Sequence, residues 1–111
     1  MENTSKKENR LLDQVKHIAN TIESGEYETE NEDAPNGFDY LEDALDIQYI
    51  VSSNREYLGA RVLVAYGGPN IWINTQKQMV EGYWWGESEF AYYQKDNLQL
   101  CEALEEIYDC S

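Results

Sequence analysis

Between Glu23 and Asp46 the chain places ten carboxylates (Glu23, Glu26, Glu28, Glu30, Glu32, Asp33, Asp39, Glu42, Asp43 and Asp46) and not one Lys or Arg. Like charges brought together on folding repel one another, so a block this one-sided costs stability unless something positive eventually meets it. The partner it suggests is basic. The block also limits the fold directly. From Glu26 to Gly37 no apolar period exists, Pro35 forbids a continuing helix, and Asn36-Gly37 signals a turn. Residues 25–37 therefore read as an acidic loop or extended arm, and the core has to come from the sequence on either side.

With 111 residues the chain is sized for one domain, 1–111, and its 41% hydrophobic content and nine Tyr, three Trp and two Phe separate it from a disordered acidic tail. The net charge of −14 is regional. Residues 1–22 carry four basic and three acidic side chains, residues 47–95 balance four of each, and residues 96–111 hold five acids and no base. No apolar run approaches the roughly 20 residues of a membrane span, and the N-terminal residues lack the apolar stretch of a signal peptide, so a cytoplasmic protein, not a membrane one, is expected. Cys101 and Cys110, nine residues apart on one helix, point to opposite faces and read as free thiols. With His17 the only histidine they make no zinc set, so neither metal nor cofactor is expected.

The periodicities predict an α+β fold. Ser5 and Glu8 have capping-box spacing, and Leu11, Val15, Ile18 and Ile22 then recur at steps of three and four, a helix over 5–24 stopped at Gly25. Phe38, Leu41, Ala44 and Leu45 fit the inward face of a short helix over 38–46. Over 47–86 the texture becomes β-branched and aromatic. Leu58 to Tyr66, Ile71 to Thr75 and Met79 to Trp85 read as an antiparallel meander, with Gln48 to Ser52 either an edge strand or more of the short helix. A helix over 97–109, with Leu100, Leu104 and Ile107 inward, closes the chain. The expectation is a three- or four-stranded antiparallel sheet with the N- and C-terminal helices on one face, and with the acidic arm and short helix presented to solvent.

Three sets of acids stand out. On the short helix Asp39, Glu42, Asp43 and Asp46, and on the last helix Glu102, Glu105, Glu106 and Asp109, both follow i, i+3, i+4, i+7, which puts four carboxylates in one stripe about 5 to 6 Å apart. In the arm, Glu26, Glu28, Glu30 and Glu32 alternate, so an extended backbone points all four to one side at intervals of about 6 to 7 Å, with Asp33 beside them. Rows of this kind imitate the phosphates of a nucleic-acid strand, which DNA-binding proteins hold with Lys and Arg. An acid-rich helix face is also an ordinary solvated face, and three such sets without basic relief are what weigh against that plainer reading.

Other chemistries fit less well. A calcium loop with Gly37 at its sixth position starts at Glu32 but puts Ala34 third and Asp43 twelfth. Gly67-Gly68-Pro69-Asn70 lacks the Lys-Ser/Thr of a phosphate-binding loop and reads as a hairpin connection. Of Trp84 and Trp85, one is expected in the core and the other exposed as an anchor. No nucleophile elbow or buried acid/base pair is visible, so no catalytic residue is assigned and an enzyme is not expected.

The stretches Tyr40-Leu41-Glu42-Asp43-Ala44-Leu45-Asp46, Tyr57-Leu58-Gly59-Ala60-Arg61-Val62, Gly67-Gly68-Pro69-Asn70-Ile71-Trp72 and Val80-Glu81-Gly82-Tyr83-Trp84-Trp85-Gly86 resemble a family of small acidic proteins from phages and other mobile elements of Firmicutes. In size and charge such proteins resemble anti-CRISPR and antirestriction inhibitors, several of which mimic DNA and occupy the PAM-reading or duplex-binding groove of a nuclease. The resemblance implies a protein of the bacterial host cytoplasm that evades host defence by inhibiting a nuclease, most specifically a Cas9-type effector. It would do so by binding a basic nucleic-acid-binding protein and no nucleic acid itself, with the arm and short helix as the blocking surface. The alternatives are an antirestriction DNA mimic aimed at another nuclease, a small-ligand (nucleotide) sponge built on the Trp and Tyr residues with Arg61, and an enzyme whose acid pair or metal site appears only on folding.

Overall fold

The structure is a computed structural model that describes residues 2–25 and 36–110, with side chains for residues 10–25, 37, 38 and 40–110. Three helices and five strands follow in the order α1 (Glu2–Ser24), α2 (Asn36–Leu41), β1 (Asp46–Val51), β2 (Tyr57–Ala65), β3 (Asn70–Asn74), β4 (Met79–Trp84), β5 (Glu87–Tyr92) and α3 (Leu100–Asp109). The strands form a single antiparallel sheet in sequential order, β1-β2-β3-β4-β5. The α+β class and the flanking helices match expectation, and the sheet is larger by β5.

Each connection has a local cause. Between β1 and β2 the Ser52 hydroxyl accepts the N–H groups of Asn54 and Glu56. Between β2 and β3 the Asn70 side-chain oxygen accepts the Gly67 N–H at 2.7 Å, and between β3 and β4 the Asn74 side-chain oxygen accepts that of Lys77. The last connection is the two-residue turn Trp85-Gly86, with φ of +54° and +79°, the double positive φ that matches the twist of a tight hairpin. A Trp in the first of those positions is an unusual turn residue, which is why this hairpin and β5 are hard to anticipate from sequence.

Alternation along the strands sorts the sheet into two faces. Ala60, Val62, Ile71, Ile73, Val80 and Ala91 point to one side and are buried against Val15, Ala19 and Ile22 of α1 and Leu100, Ala103 and Leu104 of α3. Helix α1 lies over β4 and β5, whereas α3 lies over β2 and against α2. At Gly82 an added Cβ would sit 2.7 Å from Val15 Cγ1 and 2.9 Å from Leu11 Cδ1, so the absence of a side chain there sets how closely α1 approaches.

Residues 93–99 tie the two helices together. Glu23 accepts the Gln94 N–H with its carboxylate at 2.7 Å and the Asn97 side-chain amide with its carbonyl. The Ile22 carbonyl takes the Asn97 N–H. Asp96 then accepts the N–H groups of Leu100 and Cys101 at 3.0 and 2.8 Å, filling two of the orphan donors at the start of α3. The helix itself begins at Leu100 rather than at 97.

Two boundaries are corrected at the N-terminal side. Helix α1 begins at Glu2, so Ser5 lies inside it and is not its cap. The short helix covers only Asn36–Leu41, taking in the last two residues assigned to the arm. It is not held out in solvent either. Gly37 packs against the carbonyls of Leu98 and Gln99, where a Cβ would be 2.8 and 2.7 Å away, and Leu41 is buried. No described helix is long and apolar enough to cross a membrane.

Gly82→Val is expected to lower unfolding free energy by about 1–3 kcal/mol through overpacking against α1, and Asp96→Ala by about 1 kcal/mol through loss of the α3 cap. Both are measured by urea denaturation, with an unchanged m-value showing that the same transition is being followed.

Candidate functional site

The acidic sets meet different fates. Glu26, Glu28, Glu30, Glu32 and Asp33 lie outside the described residues, and Asp39 stands in α2 with its side chain outside them. Glu42 and Asp43 are exposed in the turn after α2, and Asp46 is the exposed first residue of β1, its carboxylate accepting the Ile47 N–H at 3.0 Å. The expected stripe of Asp39, Glu42, Asp43 and Asp46 on one helix is therefore not formed. It needs two continuous turns, whereas the chain leaves the helix at Leu41 and the Leu45 N–H bonds to the Leu63 carbonyl at 2.8 Å, joining the sheet. Pairing with β2 lets Ile47 and Tyr49 pack against the core, and a six-residue helix bearing repelling acids has little to set against that gain. Leu45, expected inward, is 61% exposed.

The stripe on α3 survives intact. Glu102, Glu105, Glu106 and Asp109 are all exposed, and the opposite side of the helix buries Leu100, Ala103 and Leu104. The far end of α3 is held by Tyr108, whose ring lies 5.0 Å from that of Tyr49 and 5.5 Å from that of Tyr57. No base occurs on α3, and among the described residues the one ion pair is Arg61–Glu81, on the other face of the sheet. The four carboxylates are thus mounted on a packed helix with no ion-pair partner among the described residues. Helix α2 packs against α3, and Glu42 and Asp43 follow it in an exposed turn.

The sheet face turned away from the helices carries a second constellation, which sequence reading missed. Glu81 is only 5% exposed there. Its carboxylate accepts hydrogen bonds from Arg61 at 3.2 Å, Tyr83 at 2.7 Å and Asn74 at 3.3 Å. Arg61 also lies 4.3 Å over the Trp72 ring, and Tyr83 meets Phe90 edge-on at 6.0 Å. Burial alone would raise the Glu81 carboxyl, but the bonds from Tyr83, Arg61 and Asn74 outweigh it and hold it below its ordinary value of 4.5. Desolvation and the bond to Glu81 push the Tyr83 hydroxyl up to about 12. The register that opposes Trp72 to Glu81 and Arg61 to Asn74 builds this cluster. Period-2 alternation of three strands contains that information only once the pairing is known.

This arrangement bears on the ligand-sponge alternative, because Arg61 is already engaged by Glu81 and Trp72. Trp85, at 78% exposure, is the projecting one of the Trp84-Trp85 pair, and Trp84 is half-buried. A groove of about 790 Å³ lies elsewhere, on the helical side between α1 and α2. Burial, reinforced by Asp96 and Glu105, pushes the Cys101 thiol up, so it is a poor nucleophile. Among the described residues no cluster of His, Cys, Asp and Glu is placed to hold a metal ion. No protein-family profile, no curated protein and no solved structure matches this chain.

A carboxyl held low on folding stabilises the protein fully above its unfolded value and loses that contribution as pH falls through its folded value. Thermal melts from about pH 7 to pH 3 are therefore expected to show Glu81→Gln less stable by about 1–2 kcal/mol near neutrality and with a flatter acid limb than the parent. Parallel acid limbs would remove Glu81 from the linkage.

Proposed function

We propose that this protein is a stoichiometric inhibitor, not an enzyme, that presents carboxylates in place of nucleic-acid phosphates to a basic nucleic-acid-binding protein. The observation that carries the reading is the exposed acid row Glu102, Glu105, Glu106 and Asp109 on a helix locked into the core, with no ion-pair partner among the described residues. Such a row costs self-repulsion in the free protein. Contact with Lys and Arg that otherwise hold phosphates offsets that cost, and a fixed helix spends less ordering entropy on binding than a loop. The arm adds its five acids from sequence alone.

The resemblance to phage and mobile-element proteins narrows the target class to bacterial defence nucleases. A Cas9-type effector is the specific proposal, blocked where it reads PAM duplex; an antirestriction mimic against another nuclease is the alternative. In this reading the α3 row shares the blocking surface that sequence assigned to the arm and short helix.

The test is cleavage by a Cas9-type nuclease with increasing amounts of the protein, together with affinity capture from a host lysate at low and high salt. Inhibition is expected to saturate near one equivalent and to weaken as salt rises. Replacing Glu102, Glu105, Glu106 and Asp109 by Lys is expected to abolish it while the far-UV spectrum stays that of the parent. A folded quadruple variant that inhibits like the parent would sink the reading.

A further inference from the structure

The groove between α1 and α2 has features that the acidic surface does not explain. It exists because α1 covers β4 and β5 while α3 covers β2, and the six-residue α2 is too short to close the gap. Its floor is therefore apolar sheet, with Val64 and Ala65 from the end of β2 and Ile71 from β3. A volume of about 790 Å³ falls in the range of small-molecule sites, roughly 300–1,000 Å³.

One wall brings polar groups together. Arg10, Gln14 and His17 recur at i, i+4 and i+7, so they line the same side of α1 over about 10 Å, at 1.5 Å per residue. Tyr40 of α2 also lines the groove. In a chain of 22 acids, Arg10 has no carboxylate within ion-pair distance among the described residues, although Asp13 stands one turn away and also lines the groove. Residues 1–22 are moreover the one stretch with a net positive charge. A guanidinium fork at the edge of an apolar floor selects a planar anionic group attached to an apolar body.

We infer that this groove binds an elongated organic anion, its apolar body on Val64, Ala65 and Ile71, its acidic group at Arg10, and its far end beside His17. Gln14 and Asp13, between these ends, select hydrogen-bonding groups along the ligand's edge, and Asp13 admits only donors. The site is independent of the α3 row, and either function can fail without the other.

The probe is 8-anilinonaphthalene-1-sulfonate, whose sulfonate stands for the acidic group and whose rings stand for the apolar body. Titration of the full chain, followed by dye fluorescence, is expected to saturate at one equivalent. Ala65→Trp fills the floor and is expected to remove the binding. Arg10→Gln, on an exposed position that leaves the core untouched, is expected to weaken it about three- to tenfold. The variant with the four α3 acids replaced by Lys is expected to keep the site, with binding no weaker than the parent's. Non-saturable binding by the parent overturns the inference, as does unchanged affinity in Arg10→Gln. Near-UV circular dichroism confirms that Ala65→Trp is folded, and if it is not, Arg10→Gln decides alone.

Discussion

Everything in this molecule follows from covering one face of one sheet with two helices that come from opposite ends of the chain. The seat of α1 is set at Gly82, where Leu11 and Val15 approach the strand so closely that a Cβ would have to push them aside. The seat of α3 is set by residues 93–99, which Glu23 and the Ile22 carbonyl hold to the end of α1 and from which Asp96 caps the next helix. Burial supplies the driving force, and these polar contacts fix where the two helices stop.

That division of labour explains where the charge goes. A core closed by α1, α3 and one sheet face leaves no interior place for most of the acids, and the few that are used structurally have identifiable partners. Glu23 and Asp96 take backbone N–H groups, and Glu81 takes Arg61, Tyr83 and Asn74. The α3 row has no such partner among the described residues. By the same reasoning, the groove beside Arg10 is space that the helices leave open where three helical residues converge on an apolar floor.

Much of this was legible in the sequence. The 3.6-residue period of Leu11, Val15, Ile18 and Ile22 and of Leu100, Leu104 and Ile107 identified both packed helices, and β-branched runs placed β2, β3 and β4 to within a residue or two. The α3 stripe could be read because a helix fixes its own geometry. The stripe from Asp39 to Asp46 misled because four acids at helical spacing look alike whether or not the helix continues, and strand pairing at Leu45 decided the matter. β5 escaped because Glu87, Ser88 and Glu89 are poor strand formers that pair through their neighbour, β4. The Glu81 cluster and the groove are products of register and of a gap between elements, and neither leaves a local signature.

The sequential meander has a consequence for how the chain is made. Every strand pairs with its neighbour in sequence, so the sheet assembles from short-range contacts and forms quickly. Helix α1 precedes every strand of the sheet in the chain, yet its seat is β4, β5 and the segment after them. On the ribosome it waits, amphipathic and unseated, until the last hairpin and residues 93–99 have emerged.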